Sequence, residues 1–286
     1  MSTQNQFPEK WPVFGIVLLS ILLPYFFAAF FIQPEGGVIP ESARIYIFIG
    51  ELFIVFPGLL YIYRRPYSIK QVYRLRGVSQ NVLAWSAVIG VSISVLGDEL
   101  DRLISLFLKP PEWLMESMGF FQISSFGEFV VLVSALMIIT PIAEELLFRG
   151  FLQTSLEYRT QDVTKSVLLT ALAFALLHMN TWWILQIYLF GVILSYLSWR
   201  TQSVLPGIVT HMGINGLSLL FANLGESATS WYEMGDHVSI FWLALALAGV
   251  YFGLQNINNA FPLDTRESET IIHHNDSETT SESKPG

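Results

Sequence analysis

Apolar residues fall in long runs broken by short polar stretches, near Trp11–Ile32, Ile45–Tyr63, Val82–Leu96, Phe129–Phe151, Val163–His178, Trp182–Trp199, Val204–Phe221 and Val238–Leu254. Most approach the roughly 20 residues that cross about 30 Å of hydrocarbon as a helix. Backbone polar groups in hydrocarbon must be satisfied within their own segment, and alternating-polarity strands are absent. The pattern therefore predicts an all-α, polytopic transmembrane bundle of about eight helices. The third and fifth runs are short, and only Met179, Asn180 and Thr181 separate the fifth from the sixth. The first run has Lys10 as its sole positive flank and no small-residue cleavage site after it, so it reads as a retained span rather than a signal peptide.

Composition supports lipid as the solvent. Hydrophobic residues make up 52% of the 286, charged residues 13%, and the mean hydropathy is +0.51, whereas soluble domains carry roughly a quarter charged residues. Polar positions then set the topology. Arg64, Arg65, Lys70, Arg74 and Arg76 crowd one loop, which the positive-inside rule assigns to the cytoplasm. Alternation puts Arg149, Arg159, Lys165 and Arg200 on that side too. Both termini are expected in the cytoplasm, for a multi-pass protein of a bacterial inner (plasma) membrane. Between Gly97 and Phe126, Leu100–Leu108 is expected as an interfacial helix on the far side. Residues 1–262 are expected to form the membrane bundle, with a catalytic core at about 128–221. Residues 263–286, rich in Glu, Ser, Thr and Asn, are expected as a disordered acidic cytoplasmic tail. That tail supplies much of the net charge of −8, so no cationic partner follows from it; membrane lipids are the expected partners and nucleic acid is not. With no cysteine in the chain, disulfides, thiolate metal ligands and a cysteine nucleophile are excluded.

The candidate chemistry lies inside the apolar runs. Glu144, Glu145 and Arg149 continue the run that starts near Phe126. A charge at bilayer depth costs on the order of 3 kcal/mol, so such groups usually face a polar cavity or a partner. Glu145 and Arg149, four residues apart with the acid first, are spaced to form an ion pair at the cytoplasmic end of the fourth helix. Glu144 lies about 100° around the helix and stays free. Phe174 and His178 are four apart on the fifth helix, and His211 and Asn215 four apart on the seventh. Each pair alone is a weak signal: a cap in the first case, helix–helix glue in the second, where Gly213 and Gly216 allow close approach. Together, Glu144, His178, His211 and Asn215 reach comparable depth on three helices, with His178 the poorest fit. Converging on one polar cavity saves desolvation energy. Such a cavity holds what amide hydrolysis needs: Glu144 as general base toward a water that His178 also holds, and His211 and Asn215 as donors to the oxyanion.

These residues resemble the CAAX protease and bacteriocin-processing (CPBP) family, intramembrane glutamate endopeptidases that include the CAAX prenyl endopeptidase. Its first motif, two glutamates with an arginine five residues after the first, reads Glu144, Glu145, Arg149. Its second reads Phe174, His178 and its third His211, Asn215, all in family order. The resemblance covers roughly Glu128 to Phe221. It implies an eight-helix bundle whose cavity opens to the cytoplasm and an endopeptidase acting on membrane-associated or lipidated peptides or proteins. CAAX-type processing and bacteriocin immunity are among the family's roles. By the same resemblance, Glu144 and His178 activate water, His211 and Asn215 stabilise the oxyanion, and Glu145, Arg149 and Phe174 give structural support, with no cofactor.

Two rival readings stay open. Glu144, His178 and His211 could supply a zinc site for a metalloprotease, although no H-E-x-x-H helix is present. A non-catalytic scaffold or a transporter could use the same polar cluster as a proton or substrate pathway, although no paired halves or matched broken helices are evident.

Overall fold

The computed structural model describes residues 7–31, 43–112, 114, 118–225 and 229–263. Beyond Leu263, the expected acidic tail lies outside the described residues. The described residues are helical almost throughout. In order come α1 Lys10–Phe31, α2 Ala43–Tyr63, the short α3 Ile69–Val72, α4 Gln80–Ser105, α5 Phe126–Thr160, α6 Val163–Leu177, α7 Ile184–Thr201, α8 Leu205–Ala222 and α9 Ile240–Ala260. Four of these, α4, α5, α8 and α9, are long and apolar enough to cross a membrane. Large apolar side chains such as Leu18, Phe26, Leu176, Leu189 and Tyr251 stand on the outside of the bundle. In water such exposure would be costly; toward lipid it is not. This is an integral membrane protein.

Local chemistry fixes the helix ends. The Ser79 hydroxyl accepts from the Val82 N–H and Asp162 from the Lys165 N–H, capping α4 and α6. At the start of α5, Ser125 accepts from the Glu128 N–H while the Glu128 carboxylate reaches back to the Ser124 N–H, a variant of the capping box shifted by one residue. Gln161 and Gln202, both in the left-handed region (φ 55° and 51°), stop α5 and α7.

Two expected boundaries are corrected. The interfacial helix over Leu100–Leu108 does not form as a separate element, because α4 runs on to Ser105. Its polar end is held by partners: Arg102 bridges Asp98 (3.1 Å) and Glu233 (2.8 Å), and Asp101 accepts from the indoles of Trp182 and Trp183. A small antiparallel hairpin, β1 Glu233–Met234 with β2 His237–Val238, is also present where no strand was expected. Gly235 turns it at φ 65°, and Glu99 pins it by accepting from the Val238 N–H (2.8 Å) and pairing with His237 Nδ1 (2.8 Å). The second correction is to α5, which continues nine residues past the expected end at Phe151 to Thr160.

Helix α8 sits at the centre, packed on α4, α5 and α7, while α1 pairs with α2 and α6 with α7. The α4–α8 crossing is close because of small residues. A Cβ at Gly90 would fall 2.2 Å from the Thr210 carbonyl oxygen, and one at Gly213 would fall 3.3 Å from the Ala87 oxygen. The Thr210 hydroxyl seals the contact by donating to the Ser86 carbonyl at 2.9 Å. α5, α6 and α8 thus bring all three sequence motifs to one place.

Candidate active site

Helix α5 is not a uniform α-helix. It is π-helical over Val133–Ile139 and again over Leu146–Gln153, on either side of the α-helical turns Thr140–Glu145 that carry both glutamates. Pro141 helps explain the first interruption. Thr140 donates to the Ala135 carbonyl, five residues back, and in that register the Leu136 carbonyl would need a proton from residue 141. Proline has none to give. Asn215 on α8 fills the gap, its Nδ2 donating to the Leu136 oxygen at 2.8 Å. π-Turns of this kind concentrate at functional sites. Here one ties the third motif to the helix of the first.

Glu145 and Arg149 are completely buried and joined at 2.7 Å. The expected ion pair is present, but α5 continues past it, so the pair lies inside the bundle rather than at a helix end. The Arg149 Nη2 also donates to the Gly191 carbonyl (3.1 Å), and the guanidinium lies 4.2 Å above the Phe174 ring. A desolvated cation over an aromatic face contributes about 2 kcal/mol. Phe174 touches each motif: its centroid is 4.6 Å from that of His178 and 5.8 Å from that of His211.

His211 is the centre of the cluster. Its Nδ1 lies 3.0 Å from Glu145 Oε1, the same oxygen that accepts from Arg149, and its Nε2 lies 3.7 Å from Glu144 Oε2. The two glutamates leave α5 in different directions, as expected, yet both reach the same imidazole, one at each ring nitrogen. A carboxylate only accepts, so the proton of this bond sits on Nδ1. Glu145 therefore orients His211 as well as pairing with Arg149. Glu144 is mostly buried, and its Oε2 makes no hydrogen bond. It is the carboxylate left free for chemistry.

His178 caps α6 with its Nδ1 2.8 Å from the Phe174 carbonyl. The carbonyl accepts, so Nδ1 carries the proton and Nε2 keeps its lone pair. Its depth is also better than expected. Sixteen residues separate Glu144 from the C-terminal end of α5 at Thr160, and fifteen separate His178 from the start of α6 at Val163. These helices are antiparallel neighbours, so the extra turns of α5 bring the two residues level. His178 reaches the cluster through the Phe174 ring.

Close approach of α8 depends on Gly207, where a Cβ would lie 2.8 Å from Glu145 Oε2. Gly207→Ala is expected to displace that carboxylate and with it His211, costing about 1–3 kcal/mol as overpacked cores do. A lower Tm would be the outcome; a native Tm would contradict this packing.

Two contributors were not singled out from sequence. Glu51, on α2 packed against the Thr140–Glu145 turns, lies within electrostatic reach of Glu144 and has a buried Oε2 without a hydrogen bond. The signal was a single glutamate in the apolar run Ile49–Phe56, to which the desolvation argument for Glu144 applies equally. Gln153 donates to the Ser195 carbonyl (2.9 Å) and to Glu157 (2.7 Å), extending the polar seam toward the end of α5. Among the described residues, no group of three or more His, Cys, Asp and Glu is arranged to hold a metal ion.

Comparison with known proteins places part of the chain beside a known family. Residues 126–217, about a third of the chain and spanning α5 to most of α8, match the model of the family described as Rce1-like, type II CAAX prenyl endopeptidase Rce1-like. No curated protein and no solved structure matches. The matched stretch contains all three motifs.

Proposed function

We propose that this chain, which its residues 126–217 join to the CAAX protease family, is an intramembrane endopeptidase that hydrolyses a peptide bond with water activated by Glu144. One observation carries the reading: a buried carboxylate with an unpartnered oxygen, 3.7 Å from an imidazole whose other nitrogen is fixed by a second, charge-neutralised glutamate.

In this mechanism Glu144 takes a proton from water, while the Nε2 of His178 accepts the other water hydrogen and fixes its position. The water oxygen attacks the carbonyl carbon, and the carbonyl oxygen becomes the oxyanion. Asn215 has a second Nδ2 hydrogen beyond the one given to Leu136, and that hydrogen serves the oxyanion. His211, whose Nδ1–H is held by Glu145, turns its Nε2 edge to the same oxyanion as the second donor. Oxyanion donors of this kind are worth about 10²–10³ in rate each. Glu144 then returns its proton to the departing amine.

The same proposal includes eight spans, both termini in the cytoplasm, access from the cytoplasmic face, and CAAX-type or other membrane-associated peptides as substrates. The fluorescence of a quenched peptide library incubated with the detergent-purified protein, with and without a strong chelator, is the test. Cleavage that persists in chelator is the expected result. Cleavage abolished by chelator would favour a zinc centre in the same cluster, and absence of cleavage across the library would favour a scaffold.

A further inference from the structure

A second feature lies away from the glutamates, at the end of the bundle bearing the Arg64–Arg76 loop. There a cavity of about 490 Å³ is lined by Phe7 and by the polar side chains of Lys70, Gln71, Arg74, Arg76, Thr154 and Gln202. Its lining offers three cations, two carboxamides and a hydroxyl, and no carboxylate. Glu157 neutralises Arg74, but Lys70 and Arg76 have no ion-pair partner among the described residues. Arg74 is itself 5% exposed, and its Nε makes no hydrogen bond.

The pocket is built rather than incidental. Arg74 adopts a left-handed conformation (φ 49°) just after α3, and its carbonyl accepts from the Val204 N–H at 3.2 Å. The Arg76 carbonyl accepts from the Ser203 hydroxyl at 2.6 Å. Both arginines therefore hang from backbone tied to the turn ahead of α8, and the Arg74 Nη1 donates to Ser198. Donors held in place before binding lose little entropy on binding.

Two unpaired cations, Lys70 and Arg76, beside carboxamide donors and an Arg74 whose acid is already paired match a phosphate group, which arginine recognises through several N–H bonds at once. The volume is that of a small-ligand site. Its place matters equally: it lies where apolar helices meet a basic loop on the side that loop charge assigns to the cytoplasm. Basic pockets between membrane helices on that side take anionic lipid headgroups. We infer that this cavity binds the phosphate of an anionic phospholipid headgroup from the adjoining leaflet.

Native mass spectrometry of the protein in neutral detergent, titrated with phosphatidylglycerol or with phosphatidylcholine, tests this. The Lys70→Gln, Arg76→Gln double variant changes only exposed side chains and leaves the Arg74–Glu157 pair intact. Phosphatidylglycerol is expected to bind the native chain in preference to phosphatidylcholine, and the double variant to hold it about thirty-fold less tightly, from about 1 kcal/mol per basic residue. The charge-preserving Lys70→Arg, Arg76→Lys variant should retain it. Equal binding of the two lipids, or undiminished phosphatidylglycerol binding by the double variant, would overturn the inference. A third arm uses inorganic phosphate alone: a Tm rise with phosphate, lost in the double variant and unaccompanied by lipid selectivity, would replace the lipid source with a soluble one.

Discussion

Glu144→Gln is expected to abolish peptide hydrolysis while leaving the protein as abundant and as thermally stable as the native chain. The carboxamide keeps the volume and one carbonyl oxygen, so the 3.7 Å approach to His211 Nε2 survives in shape. What it loses is the ability to take a proton from water. Removing a positioned general base costs roughly 10²–10⁴ in rate. Glu144 Oε2 makes no hydrogen bond in the resting protein, so the substitution strands no partner and stability has no reason to fall. The readouts are cleavage of a peptide by purified protein and Tm by intrinsic fluorescence. Retained cleavage would remove Glu144 from the mechanism, and unchanged biological activity without any cleavage would point to a scaffold.

The second large effect has the opposite signature. Glu145→Ala should lower Tm and abundance sharply, because it leaves the fully buried Arg149 guanidinium without its carboxylate. Breaking a buried pair by deleting one partner costs about 3–5 kcal/mol, a large share of the roughly 5–15 kcal/mol that holds a domain together. The double variant Glu145→Ala, Arg149→Met should recover much of that loss, since no uncompensated charge then stays buried. It should not recover catalysis, because His211 Nδ1 has still lost the oxygen that orients it. A stable Glu145→Ala protein that has lost only its chemistry would exchange the roles assigned to the two glutamates.

Much of this arrangement was legible in the chain. The cost of charge in lipid singled out Glu144, Glu145 and Arg149, and the four-residue spacing correctly paired the last two. Helix positions followed from the length of the apolar runs, because each helix satisfies its own backbone. Less legible was anything that depends on a neighbouring helix. The polar stretch Glu157–Thr160 looked like a loop, yet α5 continues through it because Arg74 and Gln153 satisfy Glu157. That continuation set the depth of Glu144 and made His178 a better fit than its own run suggested. The sharing of Glu145 by Arg149 and His211 was likewise hidden, since it depends on Gly207 leaving room for the Glu145 carboxylate, whose Oε2 a Cβ there would approach to 2.8 Å. The π-turn at Pro141 could be suspected from a proline inside an apolar run, but its capping by Asn215 could not.

In the proposed mechanism Glu144 acts on water rather than on the peptide itself. A single turnover in water labelled with heavy oxygen, with enzyme in excess over peptide, separates the two. Mass spectrometry would follow both the new carboxyl terminus of the product and the enzyme fragment containing Glu144. Attack by activated water predicts one heavy oxygen in the product carboxylate and none in Glu144. Heavy oxygen appearing in the Glu144 side chain would mean that the carboxylate itself had attacked and been released by hydrolysis, which would contradict the general-base assignment.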